Sequence, residues 1–156
     1  MSRIKKILAP TDLSELSKLG IDYALELARD SGAEVTVYHV VDFGDMWEKR
    51  RSDTGPYRNM LEHCSRTLDS FLAENFADRI DLVEVRQAVE FGMPVDNIVE
   101  KAASEGVDLI VMSTHGRTGL EHMILGSVTE KVVARASCPV LVVPHRRPAA
   151  AGVKAA

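Results

Sequence analysis

The sequence predicts an α/β domain, a single doubly wound parallel sheet of five strands with helices on both faces, and three observations predict it. Short β-branched runs alternate along the chain with stretches whose apolar residues recur at three and four, the pattern of strand-helix-strand crossovers. The run Val107, Leu109, Ile110, Val111, Met112 is apolar on successive residues, as in strands covered on both sides. Glycine and proline fall between these segments, at Pro10, Gly32, Gly92-Met93-Pro94 and Gly106. Regular alternation implies right-handed crossovers and parallel strands but leaves the strand order open.

Ile4 to Ala9 reads as the first strand, ended by Pro10. Asp12 and Glu15 have the spacing of a capping box and predict a helix start there, with Leu16, Leu19, Tyr23, Ala24, Leu27 and Ala28 as its apolar stripe and Ser31-Gly32 as its close. Glu34 to Val41 is the second strand. The polar stretch from Asp42 to Pro56 reads as a long loop, a length more often functional than incidental. Tyr57, Met60, Leu61, Cys64, Leu68, Phe71 and Leu72 define a long amphipathic helix. Asp81 to Val89 alternates apolar and polar residues, as a strand nearer the sheet edge does.

Gly92-Met93-Pro94 turns into a third helix carrying Val95, Ile98, Val99 and Ala102, ended by Gly106. The fourth strand runs into Ser113-Thr114-His115-Gly116. Nine residues later come Gly126-Ser127, where Ser127 and Glu130 have capping-box spacing and Val128, Val132 and Val133 form the following stripe. Pro139 to Val143 is the fifth strand. Residues 1–144 are read as the domain, and 145–156 as a disordered tail with no pattern able to bury a face.

With 46% hydrophobic and 27% charged residues, the composition is that of a globular chain. The net charge of -4 argues against a dedicated nucleic-acid binder, and no apolar run approaches a membrane span or signal segment, so the protein reads as cytoplasmic. Cys64 and Cys138 lack metal-ligand spacing and read as reduced core residues.

A strand ending in small residues and a helix start with free N–H groups make an anion cradle. The order strand, Thr114-His115-Gly116, nine residues, Gly126-Ser127, valine-rich helix, Cys138-Pro139-Val140-Leu141-Val142-Val143 resembles the universal stress protein family. Ile7-Leu8-Ala9-Pro10-Thr11-Asp12, His39-Val40-Val41-Asp42 and Gly92-Met93-Pro94 carry the resemblance over roughly residues 3–144. In its nucleotide-binding members the motif is Gly, two residues, Gly, nine residues, then Gly with Ser or Thr. Gly116, Gly126 and Ser127 match, and Ser113 replaces the first glycine.

The resemblance implies strand order 3-2-1-4-5, with a switch point between strands one and four, where ligands of such sheets bind. It also implies an adenine nucleotide, ATP with magnesium or manganese, bound by a regulatory stress-response protein that is not an enzyme. The candidate nucleotide-contacting residues are Ala9, Pro10, Thr11, Asp12 and Val40 at the first two strand ends, and Met112, Ser113, His115, Gly116 and Arg117 at and beyond the fourth. Gly126, Ser127, Val128 and Thr129 at the helix start complete the set.

Other readings stay open. Ser127 and Asp12 each also suit a purely structural helix cap, and a nucleotide-free dimeric interaction module or a slow ATPase is an alternative function. Ser113, His115 and Asp12 lack the elbow and geometry of a hydrolase triad, and Walker and dinucleotide-binding signatures are absent, so no catalytic residue and no metal ligand is assigned. The resemblance further implies a homodimer, which Pro139 to Val143 would form as an edge strand without outward charge.

Overall fold

The computed structural model describes residues 3–42, 44, 57–114 and 125–145. In chain order they form β1 (Lys6–Pro10), α1 (Lys18–Ser31), β2 (Glu34–Asp42), α2 (Tyr57–Ile80), β3 (Val85–Gly92), α3 (Pro94–Ser104), β4 (Leu109–Ser113), α4 (Ser127–Arg135) and β5 (Val140–Val143). The five strands make one sheet in the order β3-β2-β1-β4-β5, and every pairing is parallel. The expected α/β fold class and strand order are both found. Expectations for the stretch 45–56 and for the tail beyond 145 lie outside the described residues.

Because strand side chains alternate, the sheet has two cores. Ile7, Ala9, Val35, Val37 and Val111 face α1 and α2, meeting Ile21, Ala24, Leu25, Leu68, Leu72 and Phe76. Leu8, Tyr38, Ile110 and Met112 face α3 and α4, meeting Ile98, Ala102 and Val132. α1 lies so close to β4 that a Cβ on Gly20 would stand 3.0 Å from the Met112 Cα and the Ser113 backbone nitrogen.

Several local expectations are corrected. α1 begins at Lys18, not at Asp12, because Leu13 adopts a left-handed φ of 64° that no helix can contain. Its stripe runs through Gly20, Ile21, Ala24, Leu25 and Ala28, leaving Tyr23 exposed. Gly32 does close α1, at φ 73°, with its N–H donating to the Ala28 carbonyl. β3 starts at Val85 rather than Asp81: Leu82 is 64% exposed, so the alternation before Val85 is that of a turn. On α4, Val132 is buried but Val133 points outward, and Thr129 takes the inner position. Neither Cys64 nor Cys138 is in a disulfide, and each is only partly buried.

Candidate functional site

β1 and β4 are adjacent, yet their following segments leave on opposite faces of the sheet: α1 packs on one side, α4 on the other. The chain therefore parts at the carboxyl ends of these two strands, and a cleft of about 330 Å³ opens there. Its floor and apolar wall are Tyr38, Val40, Ile98 and Met112, all from the α3/α4 side of the sheet. One rim is the turn after β1, Pro10 to Asp12 with Ser17; the other is Ser113 with Gly126 to Thr129.

The turn after β1 is wired to itself. The Thr11 N–H donates to the Tyr38 carbonyl at 2.8 Å, the last link between β1 and β2. Asp12 Oδ1 accepts the Ser14 N–H at 3.0 Å and its hydroxyl at 2.5 Å, an Asx turn that ties the carboxylate to its own loop. The Ser17 hydroxyl gives its single proton to the Ser14 carbonyl at 2.8 Å, so the 2.8 Å contact with Thr11 must be donated by Thr11. Thr11 Oγ1 in turn accepts the Leu13 N–H at 3.0 Å. His39 Nδ1, 2.9 Å from the Thr11 carbonyl, must carry a proton there, because a carbonyl only accepts. Asp12 thus caps a turn and not α1, whose N-cap is Ser17.

The opposite rim is built differently. Gly126, extended at φ -68° and ψ 157°, is the N-cap of α4, with no side-chain cap bond, and its carbonyl receives the Glu130 N–H at 2.9 Å. Ser127 is therefore the first helical residue and not the cap, a correction to the capping-box reading: glycine, lacking a side chain, occupies the cap position itself. Two bonds hold this helix start against the sheet. The Gly126 N–H donates to the Thr114 carbonyl at 2.6 Å, and buried Thr129 Oγ1 donates to the Ser113 carbonyl at 2.9 Å. α4 then points the positive end of its dipole at the cleft.

Between the rims, β2 outruns β1. The register pairs Pro10 with Tyr38, after which β1 has ended while β2 continues beside β3 through Val40, Val41 and Asp42. The Tyr38 carbonyl faces β1, since it accepts from Thr11. Two residues on, Val40 turns its N–H and C=O to the same side, where among the described residues no strand meets them. A donor and an acceptor therefore stand side by side at the cleft wall.

Residues 3–144 match the model of the universal stress protein family. The chain belongs to that family. Two universal stress proteins of Methanocaldococcus jannaschii are similar to it. MJ0577 is 31% identical, over 91% of this chain and 96% of that protein, and MJ0531 is 35% identical, over 89% and 81%. The solved structure of MJ0577 superposes with a TM-score of 0.79 at 30% identity, covering 94% of this chain and all of that one. A universal stress protein solved in complex with cAMP shares the fold, at 23% identity and a TM-score of 0.66 over 92% of this chain and 98% of that one.

Of the residues singled out from the sequence, Pro10, Thr11, Asp12, Val40, Met112, Ser113 and Gly126 to Thr129 come together around the one cleft. Ala9 does not: its side chain is on the other face of β1, in the core against α1. His115, Gly116 and Arg117 lie outside the described residues. Ser17, Tyr38, Asp42, Pro94 and Ile98 line the cleft but were not singled out. Period-two alternation from Val40 signals Tyr38 and Asp42, and the apolar stripe of α3 signals Ile98; Ser17 has no sequence signal of its own.

Ser113 belongs to β4 and pairs with Val143, and Leu13 is the only non-glycine residue with positive φ among those described, so serine replaces the motif glycine without backbone strain. Among the described residues no group of three or more His, Cys, Asp or Glu is placed to hold a metal ion, and no helix is long and apolar enough to cross a membrane.

Proposed function

We propose that this universal stress protein binds an adenine nucleotide, ATP, in the cleft between β1 and β4 and acts as a cytoplasmic stress-response regulator rather than as an enzyme. The observation that carries the reading is the cleft itself. It sets an open helix start on one wall and, on the other, a Val40 backbone with no strand partner on that side among the described residues, from segments far apart in the chain. Triphosphate oxygens suit the α4 end, where Gly126 lets them approach the N–H groups and Ser127 adds a hydroxyl. His115, Gly116 and Arg117 follow Thr114 directly in the sequence. Mg2+ or Mn2+ fits as an ion carried by the phosphates, and Asp12 and Asp42 are the carboxylates that line the cleft among the described residues.

A helix end contributes about 0.3 to 2 kcal/mol toward an anion, whereas micromolar binding needs about 8 kcal/mol. The base end must supply much of the remainder. There, the Val40 N–H complements adenine N1 and the Val40 carbonyl complements the 6-amino group. Guanine presents a donor at N1 and an acceptor at O6, the reverse order, so the wall favours adenine. Val40, Ile98 and Met112 bury the base faces. cAMP carries the same base, and competition between ATP and cAMP distinguishes which phosphate arrangement the rim prefers.

Purified protein, heat-denatured, should release a stoichiometric adenine nucleotide detectable by mass spectrometry, or the emptied protein should bind ATP with micromolar affinity in calorimetry. Neither release nor binding would leave the nucleotide-free dimeric module as the better reading, and phosphate release over many turnovers would promote the ATPase. The unit that carries the function is residues 1–144, and we infer that it pairs with a second copy through the free edge of β5. The Ile110 N–H donates to Pro139 and the Thr114 N–H to Val143, so Pro139, Leu141 and Val143 turn inward and Val140 and Val142 present their N–H outward. Val142→Pro should remove an edge donor without breaking a ladder bond and shift the protein to monomer in light scattering. A wild-type mass near 17.1 kDa would end the dimer proposal.

A further inference from the structure

A polar network lies directly behind the base end of the cleft. Tyr38, fully buried and part of the cleft floor, donates its phenol to Glu90 Oε2 at 2.6 Å. Glu90 Oε1 accepts from Lys101 Nζ at 2.8 Å, and Lys101 also reaches Glu105 at 2.9 Å. The same ammonium stands 5.0 Å from the centre of the Tyr38 ring. Burial, then the Glu90 carboxylate, push the Tyr38 phenol up. Burial alone would raise Glu90, but the hydrogen bonds from Lys101 and Tyr38 prevail and hold its carboxyl below the usual range. For Lys101, burial opposes the charge and the bonds it donates to Glu90 and Glu105 overcome it, raising its pKa. Near neutral pH the network is a protonated phenol between a fixed carboxylate and a fixed ammonium.

Its placement is what gives it a consequence. Glu90 is the register partner of Val40 on β3, and Tyr38 precedes Val40 by two residues on the same face. Tyr38 is therefore anchored at both ends: its carbonyl by the Thr11 N–H of the cleft rim, its phenol by β3 and α3. Beyond Pro10 the ladder with β1 ends and only the Thr11 N–H bond to Tyr38 and the His39 ring's bond to the Thr11 carbonyl tie β2 to that side, so Val40 to Asp42 are positioned by β3, by these two bonds and by the Tyr38 phenol. α3 is tied into the same assembly, for Asn97 accepts the Met93 N–H at 3.1 Å and donates to the Phe91 carbonyl at 3.2 Å, next to Pro94 and Ile98 of the cleft wall.

We propose that Tyr38, Glu90 and Lys101 form a positioning network for the nucleotide base, fixing the Val40 donor and acceptor against Thr11 and Asp12 so that the cleft distinguishes an adenine edge. This rests on the nucleotide reading above and deepens it by assigning base recognition to polar groups that act through the Val40 backbone rather than by bonding the base. The network acts on one end of the cleft only; the α4 start is held separately, by Thr129 and Thr114. Its loss should therefore be felt by the base and not by the phosphates.

Tyr38→Phe removes the phenol and keeps the ring, and Glu90→Gln keeps an acceptor and removes the charge. Calorimetry on the full chain with ATP, adenosine and inorganic tripolyphosphate reads the two ends apart. In either variant ATP and adenosine should weaken by about tenfold, the scale of one hydrogen bond to a charged group, while tripolyphosphate is held as in the wild type. If both variants bind ATP as tightly as the wild type, the network has no part in recognition and the nucleotide reading stands alone. Equal weakening of tripolyphosphate would mean general loosening of the domain and would also overturn the positioning role. A wild type that binds neither ATP nor adenosine overturns both proposals together.

Discussion

Two helices start at the same end of the sheet, one on each side of the switch point, and they start in opposite ways. Before α1 the chain satisfies itself: Thr11, Asp12, Ser14 and Ser17 exchange hydrogen bonds, and Leu13 is held at a left-handed φ of 64° within them. A leucine in that conformation costs about 1 to 2 kcal/mol, so the turn persists because its bonds over-determine it. Neither N-cap makes a side-chain cap bond, but at α1 the Lys18 and Leu19 N–H groups donate to the Glu15 and Leu16 carbonyls of the preceding turn, whereas α4 starts on a glycine in the cap position with a first-turn serine exposed. The first turn is a fixed wall, while the second is a surface that a ligand can complete. A helix start whose own chain has used up its polar groups has little left to offer an anion, whereas one that begins on a bare glycine does.

The strongest way to break this contrast is to fill the open start. Gly126 has an ordinary extended backbone, at φ -68° and ψ 157°, which a β-branched residue adopts readily. Gly126→Val should therefore leave the thermal midpoint of the ligand-free protein within a few degrees while removing detectable ATP binding. Normal binding by this variant in calorimetry would refute the role given to the α4 start.

Removing a bond from the closed turn should do the converse. The Ser17 hydroxyl is buried, accepts from Thr11 and donates to Ser14, so Ser17→Ala strands two partners. We expect a loss of about 1 to 3 kcal/mol in urea denaturation, with ATP affinity at saturating folded protein changed only a few-fold. An unchanged stability would show that the turn holds its shape without the Ser17 link.

The sequence made the sheet legible because each strand and helix declares itself through its own period, whereas the strand order came only from the family resemblance. The local starts were less legible. Asp12 and Glu15, and Ser127 and Glu130, each have capping-box spacing, yet in neither case does the first residue cap the helix. At Asp12 the carboxylate finds a nearer N–H two residues on, and at Ser127 the preceding glycine takes the cap position; spacing alone cannot show which competitor wins. The network behind the cleft was not legible at all. Tyr38, Glu90 and Lys101 come together only through the register of β2 on β3 and the packing of α3 over both, which no period in the chain encodes.

The smallest expected effect concerns the one departure from the family motif, Ser113. Had this position required a left-handed backbone, a Cβ would have cost about 1 to 2 kcal/mol, equivalent to some five- to thirty-fold in affinity. Ser113 is instead the last residue of β4, paired with Val143, and its carbonyl receives the Thr129 hydroxyl. Nothing in that conformation demands glycine, and glycine within a strand gives up about 0.5 to 1 kcal/mol of stability through its freedom in the unfolded chain. Ser113→Gly should therefore destabilise the ligand-free protein slightly and alter the ATP dissociation constant by no more than a few-fold. Tight binding in Ser113→Gly beside none in the wild type would mean that the serine side chain itself obstructs the ligand. In that case the comparison between the two helix starts would have to count the end of β4 among the closed walls.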